Sequence, residues 1–279
     1  MKVLPFKIPK AKNIGLIYQE DRGISFYDKL HQHEEIQICY IVKGEGSLIV
    51  GDAVNDYCDN TILVIGGNQP HVFKSDTSII KKSFMMSLFF TKESFGNAFF
   101  DLDDFKELEY FFNNAKTSFK ITNNSEELIS CFKDLPKSDD FERFIIFLKI
   151  IKLILKSDIE RLSTFLYTKK YTDNEGKRMG KVMDYTLNNY SKKIDLEEVS
   201  EVANMTPNAF CRYFKQRTNK TYFTFLNEIR VEKACKLLQN KEYLITEISE
   251  KSGFKNISNF NRKFKEIKGF TPSDYRANY

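Results

Sequence analysis

The chain has 279 residues, 42% of them hydrophobic, with 26 Phe and no Trp, and its 43 Lys and Arg against 38 Asp and Glu leave a net charge of +5. That length and apolar content suit two domains, each able to bury a core. Its five cysteines (Cys39, Cys58, Cys131, Cys211 and Cys235) are odd in number, widely spaced and free of any C-x-x-C pair, which excludes a disulfide framework or zinc ribbon and points to reduced thiols in a cytoplasm.

Met1-Lys2-Val3-Leu4-Pro5 opens no long apolar run, so no signal peptide is expected. Residues 1–90 read as β-structure. Short β-rich runs at Ile24–Leu30, Glu35–Val42, Ser47–Val50, Thr61–Ile65 and Lys82–Phe90 are separated by Gly44-Glu45-Gly46, Gly51-Asp52 and Gly66-Gly67. Many short strands without long helices suggest a barrel or jelly roll. All three histidines, His31, His33 and His71, fall in this region. At strand parity His31, His33, Glu35 and Gln37 face one side of a sheet. His31-x-His33 with Gln37 and Gly44 resembles the first cupin motif, and Asn68-Gln69-Pro70-His71 resembles the second. In metal-binding cupins this resemblance implies two His, a Glu and a third His as ligands. Gln37 stands at the Glu position, so no metal ligand is assigned and no cofactor is expected. The reading is a small-molecule pocket in a barrel mouth, with His31, His33, Gln37 and His71 as hydrogen-bonding groups and either Cys39 or Tyr40 beside them.

Residues 91–125 are dense in aromatics (Phe95, Phe99, Phe100, Phe105, Tyr110, Phe111, Phe112), read as packing between barrel and helices. Phe141–Leu166 reads as one long helix with Phe144, Ile145, Leu148, Ile151, Leu155, Ile159 and Leu162 on a wide stripe. Glu142, Arg143, Lys149 and Lys152 make it too charged to span a membrane. A stripe that wide needs two partners; the second is read as the same helix of another chain, giving a homodimer. Tyr167–Lys177 is polar and aperiodic and reads as a linker.

From Lys177 onward there are 20 Lys and Arg against 12 Asp and Glu, leaving 23 against 26 before it. A cationic C-terminal part on an acidic N-terminal part fits a nucleic-acid module with a separate partner domain. Met179–Tyr190 reads as a helix, and Asp195 with Glu198 as the capping box of the next. Two stretches then repeat. Glu198–Leu226 lies over Glu247–Tyr275 at an offset of about 50 residues, with one residue inserted at the turn. Val199/Ile248, Phe210/Phe260, Arg212/Arg262, Phe214/Phe264 and Lys215/Lys265 coincide. In the first copy Thr206 and Pro207 begin a helix whose outer face holds Asn208, Arg212 and Lys215 with Cys211 at its edge, and whose inner face holds Phe210, Phe214 and Arg217. In the second, Ile257, Phe260, Phe264 and Ile267 form the inner stripe. Ser258, Arg262 and Lys265 point out, Asn259 and Asn261 flank them, and Lys255 and Asn256 precede the helix. Each copy reads as helix, turn, helix, the plan whose second helix enters a DNA major groove. Tyr222–Leu238 between them reads as a single helical strut.

Ala234-Cys235-Lys236-Leu237-Leu238, Ile245-Thr246-Glu247-Ile248, Gly253-Phe254, Phe260 through Lys265 and Gly269-Phe270-Thr271-Pro272-Ser273-Asp274-Tyr275-Arg276 resemble the AraC/XylS family of transcription regulators over residues 178–279. The resemblance implies seven helices, two helix-turn-helix motifs, double-stranded promoter DNA and RNA polymerase as partners, dimerisation, and more often activation than repression. Asn204-Met205 departs from the Gly-aromatic turn of many members, but Asn tolerates the left-handed region. The expected fold is therefore α+β and multidomain: a cupin-like sensor over 1–125, a helical dimerisation segment over 126–166, a linker over 167–177 and an all-α double helix-turn-helix domain over 178–279. Arg212 and Arg262 suit guanine, Asn208, Asn259 and Asn261 suit adenine, and the lysines suit phosphates. The competing reading is a metal-dependent cupin enzyme fused to a DNA-binding module.

Overall fold

The computed structural model describes residues 15–77, 82–164 and 172–277. They fall into two compact units, the first reaching to Asp173 and the second built on Asn174–Tyr279. No described helix is long and apolar enough to cross a membrane.

The first unit contains β1 (Ile17–Gly23), β2 (Ile36–Lys43), β3 (Gly46–Val50), β4 (Ala53–Tyr57), β5 (Thr61–Ile65), β6 (His71–Ser75), β7 (Ser83–Phe90), α1 (Leu108–Ala115), β8 (Phe119–Ile121), α2 (Glu126–Asp134), α3 (Asp140–Ile154) and β9 (Ile159–Arg161). Six strands form one sheet in the order β1-β7-β2-β5-β8-β9, and three form another in the order β4-β3-β6. Alternation along β2 decides which face packs where. Ile38 and Tyr40 face the helices, in a core with Ile62, Val64, Leu88, Phe90, Phe111, Phe132, Phe147 and Ile151. Cys39 and Ile41 face the smaller sheet, in a second core with Leu48, Val50, Leu63, Ile65 and Phe73. Of the expected barrel or jelly roll, the described residues show two sheets facing each other across this second core, with no ladder joining them into a closed barrel. The edge strand β1 reads Ile-Tyr-Gln-Glu-Asp-Arg-Gly and β9 reads Ile-Glu-Arg, and charged edges of this kind oppose further pairing.

Several elements differ from expectation. Ile24–Leu30 is not a strand; the edge strand is the preceding Ile17–Gly23. The long helix ends at Ile154, with Leu155 closing on Ile151 O, and Asn123 Oδ1 accepts from Asp158 N to start β9. Ile159 therefore belongs to a strand, and Leu166 lies outside the described residues. The buried face of α3 is Phe147, Ile150, Ile151 and Ile154, and Ile145 is exposed, so the stripe is rotated from the one expected. Residues 167–171 of the expected linker lie outside the described residues, and its remainder is already helical from Asp173.

The second unit contains α4 (Asp173–Asn189), α5 (Leu196–Val202), α6 (Pro207–Thr218), α7 (Tyr222–Leu238), α8 (Ile245–Lys251), α9 (Ile257–Lys268) and α10 (Pro272–Ala277). Strut α7 serves two cores. Its first half buries Tyr222, Phe225, Leu226 and Ile229, with Phe214 5.4 Å from Tyr222 and 5.6 Å from Phe225. Its second half buries Val231, Ala234, Cys235 and Leu238 with Ile248, Phe254, Phe260 and Phe264. Burial pushes the Tyr222 phenol up to about 12, so it stays neutral while its oxygen meets Thr186 Oγ1 at 2.9 Å.

In the first unit Phe147 is fully buried with its ring 4.6 Å from Phe90 and 5.8 Å from Phe95. Phe147→Ala is expected to lower unfolding free energy by about 3–5 kcal/mol. Denaturant unfolding followed by circular dichroism measures this; a loss below about 1 kcal/mol would show that the aromatic layer closes over the hole.

Candidate functional site

Helices α5 and α6 meet at a corner that α8 and α9 reproduce. In the first corner Asn204 takes φ 50° and Met205 N donates to Ser200 O at 2.9 Å. In the second Gly253 takes φ 94° and Phe254 N donates to Ser249 O at 2.9 Å. The departure at Asn204 thus keeps the left-handed turn. The following helices are capped by Thr206, whose Oγ1 accepts from Ala209 N, and by Asn256, whose Oδ1 accepts from Ser258 and Asn259 N. Both end on a left-handed residue, Asn219 at φ 56° and Gly269 at φ 80°, each donating to the carbonyl four residues back at 2.9 Å. Lys255 is the residue inserted between the two copies.

The corner fixes which way each second helix faces. Phe210 and Phe214 of α6, and Phe260 and Phe264 of α9, are buried. Asn208, Cys211, Arg212, Lys215, Lys255, Asn256, Ser258, Asn259, Asn261, Arg262 and Lys265 are all exposed. Two residues expected on the inner faces behave differently. Ile257 is 37% exposed, because it lies in the first turn beyond the reach of the core. Arg217 is nearly buried but ion-paired to Glu175, whose backbone oxygen also accepts from Tyr213 Oη.

Hydrogen bonding sorts the polar face further. Asn256 Oδ1 is engaged in the cap. Arg262 Nη2 donates to Asn259 Oδ1 at 2.9 Å, and Nη1 lies 3.6 Å from Glu266. Lys263 donates to Glu266 and holds its carboxyl below the ordinary range. Bidentate adenine contact needs an amide oxygen and an amide nitrogen together. In this arrangement Asn208 and Asn261 present both, whereas Asn256 and Asn259 present nitrogen alone. Arg212 has no ion-pair partner among the described residues, so the two arginines start from different states.

The three histidines come together in the first unit. His31 N donates to His71 O at 3.0 Å and His71 N to His31 O at 2.8 Å, while Asn68 N donates to His33 O at 2.7 Å. The rings lie 4.2 Å (His31–His71), 5.0 Å (His33–His71) and 6.1 Å (His31–His33) apart, and all are buried. Nδ1 of His31, His33 and His71 meets the carbonyl of Lys29, Glu35 and Gln69 respectively, each at 2.8 Å. A carbonyl only accepts, so each Nδ1 carries a proton. One ring nitrogen from each lies within 4.8 Å of the others. That donor set fits a metal ion as well as a hydrogen-bonding ligand. The strand parity drawn through Glu35 does not hold: the chain bends at Glu34-Glu35 and β2 begins at Ile36. Gln37 is buried, and its Nε2 donates to Ser87 Oγ at 3.0 Å. Cys39, not Tyr40, shares its face; Tyr40 Oη reaches Asn60 on the other side.

Residues 199–278 match the family model described as a helix-turn-helix domain. The uncharacterized HTH-type transcriptional regulator YdeC of Bacillus subtilis (strain 168) is 33% identical over 99 residues, which cover 36% of this chain and 34% of that protein. The HTH-type transcriptional activator RhaS of Escherichia coli O139:H28 (strain E24377A / ETEC) is 24% identical over 143 residues, 51% of this chain and 48% of RhaS. Among solved structures, the DNA-binding domain of AdpA in complex with a target DNA aligns at 28% identity over 35% of this chain and 88% of that one, with a TM-score of 0.34. The chain thus spans between a third and a half of these curated relatives.

A Cβ on Gly253 would sit 2.4 Å from Tyr190 O and 2.9 Å from Arg230 Nε, at a φ that also disfavours it. Arg230 is held there by bonds to Tyr190 O and Lys192 O, both 2.8 Å, so neither neighbour can give way. Gly253→Ala should therefore destabilise the second unit by about 2 kcal/mol or more, whereas Asn204→Gly, at an exposed corner, should change stability by less than about 1 kcal/mol. Thermal unfolding of the two variants compares them directly; equal melting would remove the steric account.

Proposed function

We propose that this chain is a sequence-specific DNA-binding transcription regulator of the AraC/XylS type, working in the cytoplasm, with the first unit as a cupin-type sensor of a small-molecule effector. The observation that carries the reading is the duplicated corner, which turns two helices outward with exposed amide and cationic side chains. Helix α7 has 17 residues and is therefore roughly 25 Å long. Such a rigid spacer suits two recognition helices placed about one DNA turn, ~34 Å, apart on one face of the duplex.

The roles follow from the chemistry of each side chain. Arg212 and Arg262 fork onto guanine O6 and N7, and Asn208 and Asn261 onto adenine N6 and N7. Asn256 and Asn259 contribute amide nitrogen, and Cys211 borders the α6 contact. Lys255 and Ser258 reach either a base edge or the backbone. Lys215, Lys263, Lys265 and the helix N-terminal amides hold phosphates. His31, His33, Gln37 and His71 contact the effector. The protein acts as a homodimer through α3, where Phe141 and Ile145 are 73% and 53% exposed, and it activates transcription with RNA polymerase as its partner.

Binding to sites selected from random duplex DNA, measured across a salt series, tests the reading; no preference among sequences at any salt would sink it. Within the selected site, Arg212→Ala and Arg262→Ala should each cost about 1–3 kcal/mol and relax one base position, while Lys215→Ala should weaken all sequences alike and lower the salt slope by about one. Glu266→Gln should tighten binding, because it releases Arg262 and removes a carboxylate that repels phosphate. Uniform weakening by Arg262→Ala would reassign that side chain to the backbone.

Sedimentation of a Phe141→Glu, Ile145→Glu variant checks the assembly. It is expected to run as a monomer at concentrations where the parent is a dimer; an unchanged dimer would move the interface off α3.

A further inference from the structure

We propose that Asn259 and Glu266 mask Arg262, so that the two helix-turn-helix motifs read DNA unequally: α6 fixes sequence, and α9 adds affinity with little sequence preference. This division of labour rests on the DNA-recognition reading above.

Helical phase sets the division. In the repeat, Ala209 corresponds to Asn259, Arg212 to Arg262 and Gln216 to Glu266. At 100° per residue Arg262 lies at the middle of the outward face of α9. Asn259, three residues before it, and Glu266, four after, lie together on one flank. Both reach it: Arg262 Nη2 donates to Asn259 Oδ1 at 2.9 Å, and Nη1 lies 3.6 Å from Glu266 Oε2. Lys263 Nζ donates to the same carboxylate at 2.9 Å and favours its ionised form. On α6 the corresponding flank carries only the Ala209 methyl and the uncharged amide of Gln216. Arg212 is exposed and has no hydrogen bond or ion pair among the described residues.

A held arginine discriminates less than a free one for a definite reason. On unspecific DNA Arg262 keeps both bonds; to extend its fork to a guanine it leaves them. The bonds are therefore lost from the specific complex alone, and the ratio of specific to unspecific binding falls. Exposed side-chain pairs on a helix are each worth about twofold in an equilibrium, so the two together lower that ratio roughly fourfold. Against this loss α9 gains charge that reads no sequence. Lys255 and Lys265 are both exposed there, where α6 offers Lys215. Lysine contacts to phosphate position a protein on the duplex without selecting bases.

The test uses the full-length protein and the site it selects from random duplex DNA. Each G·C pair of that site is replaced in turn by A·T. The pair read by each arginine is the one whose replacement no longer matters in Arg212→Ala or in Arg262→Ala. Replacing the Arg212 pair is expected to cost about fourfold more affinity than replacing the Arg262 pair. Asn259→Ala with Glu266→Gln should raise the second penalty about fourfold, to match the first. Ala209→Asn with Gln216→Glu transplants the mask and should lower the first penalty about fourfold. None of these four positions is buried, and circular dichroism checks that each variant is folded. Lys255→Ala with Lys265→Ala should weaken selected and random DNA alike. Equal penalties in the parent protein, or a penalty left unchanged or moved the other way by its pair of substitutions, would overturn the proposal and leave the DNA-recognition reading standing. No sequence preference, or no pair that maps to either arginine, would remove that reading and the proposal with it.

Discussion

One backbone constraint organises the second unit. A helix can turn sharply into another within a few residues when one of them enters the left-handed region, and here Asn204 and Gly253 do so. Once that residue is set, Met205 N and Phe254 N fall onto Ser200 O and Ser249 O, and the next helix starts in a fixed direction. Its phase follows, and with it the burial of Phe210 and Phe214, or Phe260 and Phe264, and the exposure of everything opposite. The two corners differ because their surroundings differ. Asn204 is exposed, so its side chain has room; Gly253 is pressed against Tyr190 O and Arg230, so only hydrogen fits. Arg230 is the reason for the crowding: burial disfavours its charge, and two backbone carbonyls and the face of Phe254, 5.8 Å away, hold it in place.

Helix α7 shows how a single element links two such motifs. A surface helix usually carries one apolar stripe. This one is apolar on different sides in its two halves, because Phe225 and Ile229 serve one core while Ala234 and Leu238 serve the other. Polar residues close the gaps: Lys268 of α9 pairs with Glu232, and Lys220 donates to Glu228 at 2.9 Å. Movement of either α6 or α9 therefore strains the same rigid rod. A helix that must satisfy two cores cannot rotate to suit one of them, and this is a physical basis for a constant spacing.

The parts of the architecture legible in the residues are those whose causes are local. The duplicated caps, the left-handed C-termini and the helical phase of Phe210, Phe214, Phe260 and Phe264 lie within a few residues of their partners. The first unit was harder because strand pairing is remote. Strand β1 hides in Gln19-Glu20-Asp21-Arg22, polar because it is an edge, and its only partner among the described residues is β7, sixty or more residues away. Strands β4 and β6 each offer only five residues of mixed polarity. The end of α3 was obscured because Ile159 and Leu162 continue the apolar spacing across Ser157-Asp158, though they belong to β9 and the residue after it. The histidines could be selected as a group from their residue type, but not their mutual geometry. That depends on His31 pairing with His71 across forty residues of intervening chain, and on a bend at Glu34-Glu35 that no alternation pattern registers.

The two candidate sites are constrained in opposite ways, and the difference matters for what each can discriminate. On α6 and α9 the outward polar side chains are exposed, and the bonds described for them lie within the helix, as between Arg262 and Asn259. Under the proposed reading, a contact to DNA would compete with those bonds, and discrimination at the second motif would depend on the difference between an Arg262 held by Asn259 and Glu266 and one released to a base. In the first unit each of the three imidazoles is buried and bonded through Nδ1 to a main-chain carbonyl, so its ring is already oriented. Pre-organisation of that kind favours a ligand matching three fixed donors at once over one recognised by a single adaptable contact. The histidine rings are thus fixed before any ligand arrives, whereas the exposed polar side chains of α6 and α9 keep room to reorient.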